Sequence, residues 1–525
     1  MTLLKNSRPA AVFAAVLVLV LVLAAAATSA QTAARQNPPE YNEVVAASRI
    51  QDPAARLKEF ERIKAAYPDG AMAATVESFI LNARIELAPS LAAVLDLQKA
   101  GSAGQKGANR LAAPYRSAFQ ILEHPRLKTF EPAKVLAAVL EYRDAAVKAA
   151  GDPETFAGVN EDEKKWMTTN YVAGFGLPVA LAHLSAGNAP QALSALEGYR
   201  NAGGAASAQY AYILGEAFAA SGKEKDAFEA YLDAAVENYR DAVDKAKALY
   251  AKSNSGAGGF EGLLEAKLKA LPFHPEPFKA PADWKGKAVL AELFTGSECP
   301  PCVGADLGFD GLIESIPSKY LVVLEYHLPI PRPDPMMNPA TKKRQDVYGV
   351  NSTPTVLIDG TEKMVGGGSR GMAEGKYRQY KAVVEPRLSA APEVSLKIAG
   401  KLADGVVKAV YDFDKAVPGA EYHVVLVQGE QEYKGSNGLA FHKLVVRDLV
   451  TIDPAAAKSA SFDLAASEKA ADAYLTEFEK TYTRIPNFKW AVRHNAIARR
   501  GLKVVFFAQD KETKKILNAV AADVD

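Results

Sequence analysis

Cysteine is scarce in this sequence, which has only two in 525 residues. Two cysteines cannot build a disulfide scaffold for so long a chain, so the fold must rest on hydrophobic cores. An excess of charge is also missing, because 62 Lys and Arg residues face 61 Asp and Glu residues. This balance excludes an extended acidic or basic tail and gives no electrostatic footprint for a phosphate backbone, so we expect no nucleic-acid partner.

Two common catalytic motifs are absent as well. The sequence contains no His-Glu-x-x-His pair and no Gly-x-x-x-x-Gly-Lys-Ser/Thr loop. The usual signatures of zinc proteases and of P-loop nucleotide hydrolases are therefore excluded. What remains is a chain with 49% hydrophobic and 23% charged residues, typical of globular domains and long enough for about three of them.

The first 30 residues have the layout of a secretory signal. Lys5 and Arg8 precede an apolar run over residues 10–27, and small residues lead to Ala30. This pattern predicts a signal peptide over 1–30, cleaved after Ala30, with an uncleaved membrane anchor as the alternative. Either way, we expect the folded part to be periplasmic or secreted, in a space that does not keep thiols reduced.

Residues 41–270 are rich in Ala, Leu, Glu and Lys, with apolar residues at three- and four-residue spacing. This pattern predicts an all-α region. One segment, from Leu214 to Ala234, has small and bulky residues at the spacing of a tetratricopeptide repeat. A weaker match to the same spacing precedes it, with Ala180, Ala192 and Leu196 in the corresponding places. We expect either several degenerate repeats or an irregular helical bundle, and in the first case a surface that binds proteins. The segment's motif residues are Leu214, Gly215, Phe218, Ala227, Tyr231 and Ala234.

Four prolines between residues 271 and 285 predict a semi-rigid linker and a domain boundary. Strand-like runs at 288–294, 320–326 and 355–358 alternate with helical stretches. This alternation predicts an α/β domain over residues 286–390.

After Pro392 the pattern changes to short runs of alternating apolar and polar residues. Such runs predict an antiparallel, all-β sandwich over residues 392–525, with a helical insert near 465–478. No function can be read from this part of the sequence. The predicted fold is therefore multidomain: an all-α N-terminal region, a central α/β domain and an all-β C-terminal domain.

The two cysteines, Cys299 and Cys302, stand three residues apart as Cys-Pro-Pro-Cys. A strand before the pair and a helix after it is the context in which such a pair becomes a redox couple. If Cys299 caps the helix, its sulfur faces unpaired N–H groups and the positive end of the helix dipole, which stabilise a thiolate. Cys302, one turn further, is then positioned to displace a mixed disulfide.

With these residues the sequence resembles the thioredoxin superfamily, in particular secreted bacterial proteins of that fold. The resemblance covers residues 284–388 and includes a second motif, Ser352-Thr353-Pro354-Thr355. It implies that Pro354 is a cis proline packed against the disulfide and that Thr353 offers backbone hydrogen bonds to a substrate chain. A cis peptide is tolerable at X-Pro bonds, which explains the need for proline there.

The resemblance also implies that Glu292, near the end of the first strand, is a buried acid that exchanges protons with Cys302; a merely solvated carboxylate is the alternative. The cysteine motif departs from the family, since Glu298 replaces the usual tryptophan and Pro300 and Pro301 remove N–H donors. Both changes disfavour the thiolate and predict a reductase or isomerase rather than a strong oxidant.

A proline-dense loop follows His327 and contains Met336 and Met337. This loop either lines the substrate groove, with the methionines as adaptable contacts, or is a rigid surface crossing. Copper carriers of the same fold combine two cysteines with a distal histidine, so His327 raises a copper hypothesis, but their cysteines are normally spaced one residue further apart. We expect no metal and no other cofactor.

Three hypotheses follow. The first is an extracytoplasmic thiol-disulfide oxidoreductase in which Cys299 attacks, Cys302 resolves, Pro354 and Thr353 dock the substrate, and Glu292 serves the second cysteine. Its partners would be protein dithiols and disulfides, and a membrane protein as electron donor. The second is an interaction scaffold with the disulfide as a staple, and the third is a copper carrier. Solvent access separates the first two, because an enzyme must expose the Cys299 sulfur.

Overall fold

The computed structural model describes residues 37–102, 104–254, 256, 258–280, 283–455, 458–485 and 487–525. The predicted signal segment, residues 1–30, lies outside them. The chain divides into two compact units, Met1–Ala257 and Gly258–Asp525. In the part of the chain described, no helix combines the length and the apolar composition needed to cross a membrane.

The first unit is helical throughout its regular structure, as the sequence predicts. Asp52 caps its second helix by accepting a 2.7 Å hydrogen bond from the Ala55 N–H, and Pro53 occupies the first helical position. Its helices are α1 Tyr41–Ser48, α2 Pro53–Ala66, α3 Ala73–Leu87, α4 Leu91–Ser102, α5 Asn109–Leu122, α6 Pro132–Ala150, α7 Glu161–Met167, α8 Gly176–Ser185, α9 Ala189–Asn201, α10 Ala208–Ala220, α11 Glu224–Val236 and α12 Ala242–Ser253.

The segment with the repeat-like spacing forms the helix pair α10 and α11. A Cβ built on Gly215 would lie 2.6 Å from the ring of Tyr231, so glycine permits the close approach of the two helices. The residues of the weaker match to the repeat spacing are buried together in one apolar cluster: Ala180, Ala192 and Leu196. The helical character of this region is confirmed, and its assignment to a repeat family remains a prediction.

The second unit is rich in β-structure. Its helices are α13 Phe260–Lys269, α14 Cys302–Ser315, α15 Pro339–Tyr348, α16 Ala373–Arg387 and α17 Leu464–Thr481. Its strands are β1 Val289–Thr295, β2 Leu321–His327, β3 Thr355–Ile358, β4 Glu362–Val365, β5 Leu396–Ala403, β6 Val406–Phe413, β7 Ala420–Glu432, β8 Phe441–Ile452, β9 Ser459–Asp463, β10 Leu502–Asp510 and β11 Ile516–Asp523.

Eight of these strands form one mixed sheet in the order β11-β10-β7-β8-β2-β1-β3-β4, and β5, β6 and β9 form a second sheet. β1 and β2 run parallel, and β3 pairs antiparallel with β1. β2 also pairs in parallel with β8, through Glu325 and Val445. The sheet therefore continues across the boundary predicted near residue 391.

Alternation along the strands divides the apolar side chains between the two faces of the large sheet. In β1, Val289, Ala291 and Leu293 pack with residues of α14 and α16, whereas Leu290 and Phe294 point to the other face. On that other face the β1 and β2 residues share a core with Val425 and Val427 of β7 and with Val505 and Phe507 of β10. The opposite side of β7 and β10 packs on the small sheet, which gives a two-layered β-structure there.

Two predicted boundaries differ from the structure. The first division falls between Ala257 and Gly258 rather than at residue 270, and α13 lies within the second unit. There the Arg370 guanidinium donates to the Ala270 carbonyl at 2.5 Å, and Phe273 of the predicted linker is buried against Tyr377. Second, residues 392–525 do not form a separate sandwich, because their strands complete the sheet begun by β1 and β2.

Candidate functional site

The two cysteines form a disulfide at the junction of β1 and α14, with their Cα atoms 5.4 Å apart. The chain leaves β1, and the Cys299 N–H donates to the Gly296 carbonyl at 3.1 Å. Pro301 is the residue before the first helical position, and its side chain makes no cap hydrogen bond. The prediction that Cys299 caps the helix is wrong, because Pro301, with its φ of −71°, already has helical geometry and displaces Cys299 further from the helix end.

Both sulfur-bearing residues are buried. Cys299 and Cys302 are 0% exposed, whereas Pro300 and Pro301 between them are exposed. Thiol-disulfide exchange requires a third sulfur to approach the attacked sulfur directly. The disulfide as seen here is closed to such an attack, so a substrate can react only after a covering group moves.

Thr353, the residue before Pro354, lies beside the disulfide. The Thr353–Pro354 peptide bond is cis. The Thr353 hydroxyl donates to the Ile330 carbonyl at 2.7 Å and lies 3.4 Å from the Cys299 sulfur. Thr353 is thus a direct neighbour of the first cysteine through its side chain.

A glycine segment, residues 366–368, follows β4 and joins the cis proline to the disulfide helix. The Gly368 N–H donates to the Pro301 carbonyl at 2.7 Å, and the Gly304 N–H donates to the Gly368 carbonyl at 2.8 Å. A Cβ on Gly367 would lie 1.9 Å from the Pro301 oxygen and 2.7 Å from Pro354. Any side chain at Gly367 would therefore push the helix start away from Pro354.

Three carboxyl groups with raised pKa values lie on α14 itself and on β2. Asp306 is one helical turn beyond Cys302 and on the same side of α14, and the Thr295 hydroxyl donates to its carboxyl at 2.8 Å. Burial raises the pKa of Asp306 to about 7 and that of Asp310 to about 6. Burial, reinforced by Asp306 and Asp310, also raises the pKa of Glu325 on β2, whose Oε1 has no hydrogen-bond partner.

Asp306 was missed at the sequence level, although the sequence carries a signal for it. It is a lone carboxylate in an apolar stretch, Val303 to Phe309, four residues after Cys302. A charged residue on an apolar helix face needs a partner or a raised pKa. Asp306 therefore lies one helical turn from Cys302 and has a pKa near neutral pH.

The structure corrects the role given to Glu292. Its side chain points to the sheet face opposite α14, because in β1 it alternates with Leu293, which faces that helix. Its carboxylate is buried and forms a bidentate ion pair with Arg344 at 2.7 and 2.8 Å, supplemented by the Tyr348 hydroxyl at 2.6 Å. The sheet thus separates Glu292 from Cys302, and its oxygens are occupied by structural partners.

His327, the candidate copper ligand, ends β2 and is fully buried. Its Nδ1 lies 3.0 Å from the Asp334 carboxylate, and its Nε2 has no hydrogen-bond partner. The ring faces that of His442 with 5.0 Å between the ring centres. In the described residues no group of three or more His, Cys, Asp or Glu side chains is arranged to hold a metal ion.

Asp334 connects this histidine to the cysteine motif. Its carboxylate accepts hydrogen bonds from the Ser297 N–H at 2.6 Å, the Ser297 hydroxyl at 2.9 Å and the Met336 N–H at 2.8 Å. Burial raises the pKa of Asp334, but the facing His327 ring and these hydrogen bonds outweigh burial and lower it to about 2. Asp334 therefore holds the turn that leads into Cys299.

The methionines of the proline-dense loop do not line a groove. Met336 and Met337 are each 1% exposed and pack into the interior. The expectation that they serve as adaptable substrate contacts is wrong, because the Asp334 and Asn338 hydrogen bonds fold the loop inward. Only Pro331 and Arg332, at the start of the loop, and Pro339 at its end are exposed.

Comparisons with known proteins add little. No family model and no curated protein matches the chain. Among solved structures, HBP35 of Porphyromonas gingivalis is similar over 46% of this chain and 76% of its own chain, at 14% sequence identity and a TM-score of 0.31. A likeness of this extent carries no argument about fold or function.

Proposed function

We propose that this chain is an extracytoplasmic thiol-disulfide oxidoreductase, with a thioredoxin-like central region over residues 286–390 and tetratricopeptide-like helices before it. The observation that carries the proposal is the disulfide at a strand-to-helix junction, with the Thr353 hydroxyl 3.4 Å from the Cys299 sulfur. A staple closing so short a loop adds little entropic stabilisation, which favours a redox role.

In the reduced protein, the Cys299 thiolate attacks a substrate disulfide and forms a mixed disulfide, releasing one substrate thiolate. Cys302 then loses its proton to Asp306 and attacks the Cys299 sulfur, which releases the second substrate thiolate and restores the Cys299–Cys302 bond. The substrate gains two electrons, and a dithiol donor outside this chain must return two. We propose a membrane protein as that donor, protein disulfides as substrates, and the helical region as a surface that binds protein partners.

The direction of the reaction follows from the helix start. Pro300 and Pro301 have no N–H groups, and Glu298 adds negative charge before Cys299. Both features disfavour a thiolate at Cys299 and hence the reduced form, so the couple should act as a reductase or isomerase.

One observation favours the scaffold alternative. Both cysteines are 0% exposed, which is expected of a structural staple and must be overcome in an enzyme. In that alternative the disulfide only secures α14 to β1, and the chain works by binding partners.

A redox titration separates the two proposals. The protein is equilibrated in dithiothreitol and glutathione buffers, its thiols are alkylated, and the mass shift is measured. A reversible two-electron transition between roughly −120 and −270 mV supports catalysis, and a couple below roughly −300 mV supports the staple. As a matched pair, Cys302→Ser should trap a mixed disulfide with a model substrate, and Cys299→Ser should not.

A further inference from the structure

The burial of Cys299 raises the question of which covering group moves. Two segments flank Ser297 and Glu298, the residues that lead into Cys299. One is the proline-dense loop, held by Asp334. The other is the segment 433–440 between β7 and β8, called the hairpin tip below.

The hairpin tip lies directly on the backbone before Cys299. The Asn437 N–H donates to the Ser297 carbonyl at 3.0 Å, and the Asn437 side-chain amide donates to the Gly296 carbonyl at 3.2 Å. The Glu298 carboxylate accepts from the Tyr433 hydroxyl at 3.2 Å and from the Ser436 N–H at 3.3 Å. A Cβ on Gly435 would lie 2.2 Å from the Ser297 oxygen, so the approach depends on glycine.

The proline-dense loop and the hairpin tip differ in how strongly they are hydrogen-bonded to the residues before Cys299. Asp334 is fully buried and holds Ser297 through two hydrogen bonds of 2.6 and 2.9 Å from a charged acceptor. The hydrogen bonds of the tip are longer, between 3.0 and 3.3 Å, and those that reach Glu298 are partly or fully exposed. The hairpin tip should therefore open at a lower free energy than the proline-dense loop.

The tip can also move without breaking the sheet. β7 and β8 pair as far as Glu432 and Phe441, and beyond that pair the Tyr433 N–H donates to the Ala440 carbonyl at 3.0 Å at the base of the tip. Gly438 has a φ of +89°, typical of a turn. Opening of the tip must break contacts at its base: the 3.0 Å hydrogen bond from the Tyr433 N–H to the Ala440 carbonyl, the 2.9 Å hydrogen bond between the Tyr433 carbonyl and His442, and the packing of the buried Leu439 side chain.

We propose that the hairpin tip is an internal gate over Cys299, and that its opening controls how fast thiols and disulfides reach the Cys299–Cys302 pair. The proposal rests on the proposed function and adds its regulation. In the closed state the tip occupies the hydrogen-bond acceptors before Cys299. In the open state these acceptors and the Cys299 sulfur become accessible to a reacting chain.

The test uses the full-length oxidised chain and dithiothreitol. A dithiothreitol thiolate attacks the Cys299 sulfur and breaks the disulfide, so that Cys302 leaves as a thiolate. The second dithiothreitol thiol then displaces Cys299 and closes the oxidised ring, so two electrons pass to the protein. The rate is followed by acid quenching, alkylation and mass.

Tyr433→Phe removes one contact of the tip with Glu298, and Asn437→Ala removes the contact with Gly296 together with the 3.0 Å hydrogen bond that the Leu439 N–H donates to the Asn437 side chain. Because one hydrogen bond changes the open population by roughly fivefold, each variant should be reduced about five times faster than the parent chain. Lys434→Ala is the matched control: this residue is exposed on the same tip. Its reduction rate should be unchanged.

Hydrogen exchange at the Ser436 and Asn437 amides shows independently whether the tip has opened. Faster exchange together with unchanged reduction rates in both variants would overturn the gate. Tyr433→Phe removes one oxygen atom and keeps the ring packed on His494, so a failure to fold is not expected to obscure the result. A Cys299–Cys302 redox potential in the range of a structural staple would overturn the proposed function. The rates at which dithiothreitol reduces the variants would still show whether the hairpin tip controls access to Cys299.

Discussion

At the scale of single residues, the carboxyl groups on the two sides of β1 have opposite surroundings. Glu292 is ion-paired with Arg344 and receives two tyrosine hydroxyls. Asp306, on α14 one turn after Cys302, accepts a hydrogen bond from the Thr295 hydroxyl and has no cationic partner among the described residues. A paired buried carboxylate is structural, whereas an unpaired one holds its proton near neutral pH and is available for proton transfer.

Asp306→Asn should change both the pH dependence of stability and the resolving step. Burial raises the pKa of Asp306 from 3.8 to about 7, so the folded protein holds a proton that the unfolded chain releases. This contribution to stability is fully present below pH 4 and is lost as the pH rises through 7. In urea unfolding, the variant should gain on the order of 4 kcal/mol at pH 8 relative to the parent and little at pH 4.

The same variant should slow the release of a mixed disulfide by Cys302, because its proton acceptor is gone. Glu512→Gln, in the exposed turn between β10 and β11, is the control and should change neither quantity. Equal pH dependence of unfolding in the Asp306 variant and the parent would contradict the prediction.

Arg344→Met should destabilise the chain without affecting the cysteines. Removing the guanidinium leaves Glu292 charged and unpaired in the interior, which costs about 3–5 kcal/mol. Since the pair lies on the sheet face away from α14, the redox potential should stay the same. Urea unfolding measures the loss, and Glu292→Gln combined with Arg344→Met should restore part of it. A redox potential of the cysteine pair that differs between the Arg344→Met variant and the parent would show that Glu292 affects the cysteines.

At the scale of elements, the strands and helices around the cysteines were predictable, because their apolar runs and flanking prolines are local signals. The predicted strand 355–358 coincides with β3, and the predicted insert 465–478 lies within α17. The face on which Glu292 lies was not predictable from its spacing to Cys299. A shift of one residue along a strand moves a side chain to the other face, and the turn between Thr295 and Cys299 hides that shift.

The hairpin tip could not be linked to the cysteines from sequence either. Asn437 and Ser297 are 140 residues apart in sequence. They meet because β8 pairs with β2, and that pairing is set by the sheet as a whole rather than by local pattern. The same pairing places His442 of β8 against His327 of β2.

Closure of the tip should weaken at low pH, because an opening tip withdraws the Tyr433 carbonyl from the His442 ring and lets water reach that ring. Burial, then the facing His327 ring, lowers the pKa of His442 from 6.5 to about 3; Asp334, His494 and the Tyr433 carbonyl also face it. A depressed histidine pKa means that the closed state is favoured above pH 6.5 and loses stability as the pH falls below it. At pH 5.5 the protection of the Ser436 and Asn437 amides should fall roughly tenfold relative to pH 7.5.

Hydrogen exchange, corrected for the intrinsic rate at each pH, measures this change. His442→Gln should flatten the pH dependence, and His274→Gln, at an exposed position, should leave it intact. Protection that does not vary between the two pH values would show that His442 stays buried when the tip moves.

At the scale of the whole molecule, the helical N-terminal unit and the sheet-rich C-terminal unit were predictable from composition and periodicity. The boundary placed near residue 391 was not, because the change from alternating strands and helices to alternating short strands resembles the start of a new domain. In the structure those later strands extend the earlier sheet. Strand order is a long-range property, and no local signal in β2 or β8 specifies it.

This shared sheet predicts how the second unit can be divided. A chain of residues 258–391 would leave the β2 edge unpaired and would expose Leu290, Phe294 and Leu324, which pack on residues of β7 and β10. Each such side chain contributes about 1.5–3 kcal/mol when buried, so the loss approaches the whole stability of a typical domain. We therefore expect residues 258–391 alone to show no cooperative unfolding transition in urea, and residues 258–525 to show one. If the shorter chain unfolded cooperatively, the later strands would be an addition to a complete domain, and the gate they provide would be separable from the redox site.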